Sequence, residues 1–287
     1  MPAATLTVGN VEITAILDVD TSIPLAELFD GGIEALPGGS ASLAATYPDE
    51  FAAGSWHFRD HCFLIRTATR LTLIDAGAGP ADSSFGRWLG VAGCLPDELA
   101  TLGVRPEDVD DVVLTHIHSD HTGWNTMPSS SGWVPRFPNA RYHLHGADVV
   151  WMRGSVDEED VQELAEAIAP LESAGQLDTS VEDREVSPGL SVRHAPGHTP
   201  GHRCVLLDVG DERVLFAGDL LHFTFQLHDP GFHAPGDDDP QLASRTRVEW
   251  LERAESEGLT LATAHVPPFP IARIVREGER RLLLRHR

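Results

Sequence analysis

The 287-residue sequence contains no lysine, so its 21 strong cations are all arginines, set against 44 acidic residues for a formal net charge of −23. A surface of that sign repels phosphate backbones and anionic headgroups, which argues against nucleic acid and membrane surfaces as partners. Cysteine is scarce as well. Cys62, Cys94 and Cys204 are odd in number, far apart and form no CxxC pair. That argues against a disulfide framework and a cysteine-built zinc site, and suggests reduced thiols in a cytoplasmic protein. No stretch approaches the roughly 18 apolar residues of a spanning helix. The opening "MPAATLTVGNVEITAILDVD" alternates without a basic leader region, so no export signal is expected.

What the chain does have is 41% hydrophobic residues, enough over this length for a sizeable core, and we expect a single domain over residues 1–287. "LTVGNVEITAILDVD" and "HCFLIRTATRLTLIDAG" read as strands, with "TATR" as a hairpin connection. Between them, residues 21–55, including "LPGGSAS", read as a long excursion of the kind that more often serves function than filler. "LPDELATLGV" predicts a short helix leading into a strand at 111–115. After it come a loop, "MPSSSGW", a strand, "ARYHLH", and a helix over "DEEDVQELAEAIAPLES", where Val161, Leu164, Ala165 and Ile168 recur at helical spacing. "LSVRHAPG", "RCVLLDVG" and "RVLFAGD" form a second strand block. "DPQLASRTRVEWLERAESEG" reads as an amphipathic helix and "LTLATAHVP" as the last strand. This order predicts an α/β fold of two sheets packed face to face with helices outside, a four-layer αββα sandwich. No internal repeat marks the two halves.

Polar clusters fall where the predicted strands end. "THIHSDH" carries His116, His118, Asp120 and His121 behind the apolar Val112, Val113 and Leu114. "HAPGHTPGH" carries His198, "FAGDLLH" carries Asp219, and "ATAHVP" carries His265. Imidazole and carboxylate are the donors that borderline divalent metals such as zinc prefer, and five histidines with two aspartates suffice for two ions. Each cluster alone has an ordinary explanation as a turn or a cap. Together, in this chain order, they point to a metal centre.

The sequence "THIHSDH" followed by "GH", "GD" and a late "AH" resembles the metallo-β-lactamase superfamily over roughly residues 5 to 270. The resemblance implies one ion held by His116, His118 and His198, a second held by Asp120, His121 and His265, and Asp219 bridging both. It also implies that Asp75, in "LIDAG", buttresses the site. Two divalent ions are therefore expected, Zn²⁺ first, with Mn²⁺, Co²⁺ or Fe²⁺ as alternatives. Such a pair depresses the pKa of a shared hydroxide and polarises an ester oxygen under attack.

Within the superfamily, His118 stands where the flavodiiron branch carries glutamate, and the acid excess disfavours nucleases. A glyoxalase II-type thioesterase would need a basic cluster that is missing. "GDLLHFTFQLHDPGF" and "TAHVPPFPIARI" resemble quorum-quenching lactonases and methyl-parathion-hydrolase-like enzymes. The expectation is a dinuclear hydrolase of neutral esters, a lactonase of the acyl-homoserine-lactone type. An organophosphate or aryl ester hydrolase is the alternative, and a mononuclear iron persulfide dioxygenase, leaving His121 and His265 idle, is the reading from another class. Asp120 and His222 are the candidate catalytic side chains, His222 lying three residues after Asp219 where many of the lactonases carry tyrosine. Trp124, Met127, Trp133, Phe223, Phe225 and Leu227, with Leu28 and Phe29 from the excursion, are candidates for an apolar pocket. The expected partner is a small neutral ester or lactone, and a homodimer is the assembly to test for.

Overall fold

The computed structural model describes residues 4–29, 39–130, 132–267, 269–278 and 280–285. Its strands, in chain order, are β1 (Ala4–Val8), β2 (Val11–Pro24), β3 (Phe51–Ala52), β4 (Ser55–Arg66), β5 (Leu71–Ile74), β6 (Asp111–Val113), β7 (Thr126–Ser129), β8 (Gly132–Pro135), β9 (Arg141–His143) and β10 (Leu177–Asp178). They continue as β11 (Arg184–Ser187), β12 (Leu190–His194), β13 (Arg203–Val209), β14 (Glu212–Phe216), β15 (Thr260–Ala262), β16 (Ile271–Glu277) and β17 (Arg280–Arg285). The first sheet runs β1-β2-β4-β5-β6-β9-β10 with β3 beside β4, and the second runs β11 through β17 in sequence order. β5, β6 and β9 are parallel, as are β14 and β15. Their carboxyl ends open the crevice in which open α/β sheets bind ligands.

The four expected layers follow from period-two alternation. On β4, Phe63 and Ile65 point inward to meet Val205, Leu207, Val214 and Phe216 of the second sheet. The intervening Cys62 and Leu64 point outward beneath Leu95, Leu99, Val149 and Leu171 of the covering helices. On β13, Cys204 and Leu206 likewise point away from the first sheet, toward Trp250, Leu251 and Ala254. Burying each such side chain fully contributes about 1.5–3 kcal/mol. The helix Pro240–Glu257 begins where Asp239 accepts from the Leu242 amide at 2.9 Å, and ends at Gly258 in the left-handed conformation.

The structure departs from the sequence-based reading at several elements. "LTLATAHVP" contains β15, but the antiparallel pair β16 and β17 follows it. "MPSSSGW" lies in the antiparallel pair β7 and β8 rather than a loop. The helix expected over 157–173 breaks into Glu158–Glu163, a wider π-type turn at Leu164–Ile168 and Ala169–Ser173, because Pro170 lacks an amide proton and its ring cannot fit a regular ladder. Val161 there is exposed rather than buried. In the excursion, β2 continues to Pro24 and helical turns occupy Leu25–Leu28 and Gly39–Thr46; the first residues of "LPGGSAS" fall outside the described residues. Among the described residues no helix is long and apolar enough to cross a membrane.

One irregularity bears on the centre. The β2–β4 register shifts between Leu17 and Val19, a bulge that turns the buried Asp18 toward the loops after β5. Its carboxylate accepts from the amides of Ala78 at 2.7 Å and Leu95 at 2.6 Å.

Candidate metal centre

Each donor arrives from a strand's end. β6 leads into His116 and His118, the latter extended, and the single helical turn Ser119–Thr122 then swings Asp120 and His121 beside them. Asp219 follows β14, His265 follows β15, and His198 sits in the loop between β12 and β13. All seven residues expected to bind metal meet here, in two clusters.

In the first, His116 Nε2 and His198 Nε2 lie 3.0 and 2.9 Å from His118 Nδ1. In the second, His121 Nε2 and His265 Nε2 lie 3.1 and 3.2 Å from Asp219 Oδ1. The other Asp219 oxygen, Oδ2, faces the first cluster, 3.3 Å from His198 Nε2 and 3.7 Å from His116 Nε2. Asp219 thus presents one oxygen to each cluster. Asp120 stands further out and part-exposed, its Oδ2 3.6 Å from His265 Nε2 and 3.7 Å from His121 Nε2. Asp60, which the sequence reading did not single out, has a carboxylate oxygen that lies with the His121 and His265 nitrogens inside a mutual distance of 4.8 Å.

The far side of most imidazoles is fixed. His121 Nδ1 donates to Asp75 Oδ2 at 2.9 Å, His198 Nδ1 to Asp237 Oδ1 at 3.0 Å and His265 Nδ1 to the Arg59 carbonyl at 2.8 Å. Thr115 Oγ1 donates to Asp75 at 2.9 Å and so can accept from His116 Nδ1, 3.0 Å away. Asp75 therefore has the buttressing position expected of it, with a backbone φ of 59° that a non-glycine residue rarely adopts. The Asp219 amide donates to His202 Nε2 at 3.0 Å. Orienting ring nitrogens in this way leaves the opposite lone pairs free for a cation.

The facing atoms of the first cluster meet one another, whereas those of the second are unsatisfied. His121 Nε2, His265 Nε2, Asp219 Oδ1, both Asp60 oxygens and His222 Nδ1 are buried without a hydrogen-bond partner, whereas buried polar atoms are nearly always paired. Burial, reinforced by the neighbouring imidazoles, pushes His116 and His118 far below the usual histidine range and keeps them neutral. Burial would push Asp219 up, but His121, His265 and His222 around it hold it well below the carboxylate range. His121 and His265 are different: against burial, Asp219 and Asp120 raise both, His265 to about 9. A cation would displace those protons, and imidazoles around a shared carboxylate fit divalent cations at both clusters.

His222 is buried against this carboxylate, its Nε2 3.0 Å from Asp219 Oδ2. Of the expected pocket residues, Leu28, Phe29, Phe223 and Phe225 gather in one aromatic-rich cluster with Trp56 and Phe58. Phe58 reaches within 4.9 Å, ring to ring, of His265. Trp124 and Leu227 instead pack into the cores beside the two sheets, and Met127 and Trp133 lie on β7 and β8. The sequence reading also missed Asp237, in "GDDDP", and His202, the last histidine of "HAPGHTPGH". Arg247 was missed too; its buried guanidinium donates to the carbonyls of Leu220, Pro230 and Phe232.

Known proteins resemble this chain to different depths. Probable metallo-hydrolase Mb2322c of Mycobacterium bovis is 26% identical over 206 residues, 61% of this chain, and the chain spans only 60% of that relative's length. N-acyl homoserine lactonase AiiB of Agrobacterium fabrum is 25% identical over 223 residues, 71% of this chain and 78% of that protein. Among solved structures, the hydrolase AbOPH of the beta lactamase superfamily superposes with a TM-score of 0.84 at 26% identity, covering 99% of this chain and 97% of that one. AidC, a dizinc quorum-quenching lactonase solved with a product, superposes at 0.82 with 20% identity over 99% and 97%, a likeness of fold. The model of the metallo-beta-lactamase superfamily matches residues 58–265, a stretch that holds every donor of both clusters, and the chain belongs to that superfamily.

Proposed function

We propose that the chain is a dinuclear metal-dependent hydrolase of neutral esters whose substrates are lactones of the acyl-homoserine-lactone type. The observation that carries the reading is Asp219, which offers one carboxylate oxygen to each of two converging donor clusters. His116, His118 and His198 would hold one ion, His121, His265 and Asp120 the other, and Asp219 both. Zinc suits the imidazole-rich donor set. When bound, such a pair supplies Lewis acidity for the carbonyl and a lowered pKa for an attacking water.

The chain's own residues do the rest. Asp120, the part-exposed carboxylate among the donors, would take a proton from an attacking water. His222 has Nε2 against Asp219 Oδ2 and Nδ1 without a partner; with Asp219 taken up by cations, the neutral ring's single proton would sit on Nδ1 and could be given to the departing alkoxide. Phe29, Trp56, Phe58 and Phe223 offer an apolar wall to an acyl chain. The lactone assignment draws on AiiB, named a lactonase.

The test is a panel of lactones, aryl esters, phosphotriesters and thioesters on metal-reconstituted protein, run beside His222→Ala. We expect lactones to be hydrolysed fastest by the wild type. In the variant, kcat for lactones should fall on the order of 10²-fold with metal content kept, and less for nitrophenyl esters, whose leaving group needs little help. Preference for phosphotriesters or thioesters would replace the lactone reading, and one ion per active chain would end the dinuclear one.

A further inference from the structure

We propose that Asp60 is a further ligand of the second cluster, a carboxylate that meets the cation between His121 and His265 and tunes that position toward oxygen-preferring divalent ions. The inference rests on the dinuclear reading above.

Asp60 sits where the strand pattern calls for an apolar residue. On β4, Trp56, Phe58, Asp60, Cys62 and Leu64 alternate onto one buried face, and the four neighbours of Asp60 in that row all belong to hydrophobic clusters. The side chain is as buried as theirs, at 1% exposure. Among the described residues it is the one buried acid with both oxygens unpartnered. Asp18, Glu50, Asp75, Asp111, Asp148 and Glu163 all accept hydrogen bonds from the protein. An isolated buried carboxylate is among the costliest features a fold can carry unless a cation meets it, and no arginine pairs with this one.

Its surroundings aim it. The residues on either side are fastened to the loop that carries His265: the Arg59 carbonyl accepts from His265 Nδ1, and His61 Nδ1 donates to the Ala264 carbonyl, both at 2.8 Å. Between these two anchors an Asp60 carboxylate oxygen lies within 4.8 Å of a ring nitrogen of His121 and of His265, whose Nε2 atoms have no hydrogen-bond partner. The Asp60 carboxylate and these two rings, whose Nε2 atoms also lie 3.1 and 3.2 Å from Asp219 Oδ1, therefore converge.

Counting Asp60 makes the two clusters more unlike. The first offers three imidazoles and one carboxylate oxygen; the second offers two imidazoles and the carboxylates of Asp60, Asp120 and Asp219. Imidazole-rich sets favour zinc and its neighbours, whereas carboxylate-rich sets suit Mn²⁺ and other hard ions. The second position should thus discriminate less strongly in favour of Zn²⁺ over Mn²⁺ than the first.

The test compares ion-free wild type with D60N and D60L by Mn²⁺ titration, read by calorimetry and electron paramagnetic resonance, and by Zn²⁺ competition. We expect wild type to take two ions, and both variants to bind Mn²⁺ on the order of 10–100-fold more weakly at one position only. Thermal melting should separate the variants: ion-free D60L melts above ion-free wild type, having lost a buried carboxyl with no hydrogen-bond partner, and both variants gain less than wild type on adding Mn²⁺. Because D60L restores the apolar row, it stays informative if D60N does not fold. Two ions bound as tightly by a folded variant as by wild type would overturn the role of Asp60. A wild type that takes only one ion would overturn the dinuclear reading instead.

Discussion

Two sets of buried acids surround the centre and are held by opposite means. Asp219 and Asp237 lie among cationic or ionisable partners: imidazoles around the first, His198 and Arg247 around the second. Although burial would raise both carboxyls, those partners hold them low. Asp18, Glu50, Asp148 and Glu163 lie against backbone amides and hydroxyls, and burial wins there, pushing them up to about 6, 8, 6 and 8. Neutral donors satisfy an oxygen's hydrogen bonds without offsetting the desolvation of its charge. Yet the second set does a job the first cannot. Asp18 grips the Ala78 amide, Glu163 the Thr122 hydroxyl beside His121, Asp148 the Thr199 hydroxyl and Gly201 amide beside His198, and Glu50 the Thr224 amide beyond His222. The inner acids face cations; the outer acids hold in place the loops that present donors.

Removing an inner acid should have the largest effect. Asp219→Ala takes an oxygen from both clusters, and we expect kcat/KM to fall on the order of 10³-fold or more, about 4 kcal/mol at 1.36 kcal/mol per tenfold, with loss of bound metal. Because the sandwich core does not involve this side chain, circular dichroism should stay unchanged. Near-normal turnover would show that the clusters do not share it.

Asp237→Asn should separate the clusters. It weakens the hold on His198 Nδ1 and leaves Arg247 buried without its carboxylate partner, so the His198 cluster should lose on the order of 10–100-fold in Co²⁺ affinity. The His121 cluster should be almost unaffected. Equal losses at both, followed by visible absorption during titration, would show that the shell acts as one unit.

Changing an outer acid should act on stability, with a defined dependence on pH. The Glu50 carboxyl ionises at about 8 in the folded protein against an ordinary 4.5. The folded state therefore binds the extra proton between those values, and stability falls as pH rises through that window, by up to a few kcal/mol, then levels off. Glu50→Gln removes this dependence. Urea unfolding of ion-free protein should show the variant gaining on wild type between pH 5 and pH 8.5, and a constant difference would place the ionisation elsewhere.

How much of this the sequence disclosed depends on range. Apolar runs such as "CFLIR" announced strands, and the run "THIHSDH" announced a centre because four of its candidate donors are nearly adjacent in the chain. β16 and β17 were hidden because arginines interrupt "IARIVREGERRLLLR" and blur its alternation. Asp60 was legible in principle as a lone charge in the row Trp56, Phe58, Cys62, Leu64, but its meaning depends on His121 and His265, which reach it only through the fold. Asp237 and Asp148 gave no local sign of their role, because His198 and Thr199, which they hold, lie 39 and 51 residues away.

The bulge at Asp18 has a consequence for how this chain can change. A Cβ added to Gly77 or to Gly93 would collide with the Asp18 carboxylate, and Gly77 also has a φ of 59° that other side chains rarely adopt. The three positions form a closed mutational neighbourhood. Any side chain at either glycine is ruled out while the acid remains, and a shorter residue at 18 would leave the Ala78 and Leu95 amides without their acceptor. Drift at these sites must therefore be concerted, and a random library of single substitutions would find them among the least tolerant positions outside the metal centre.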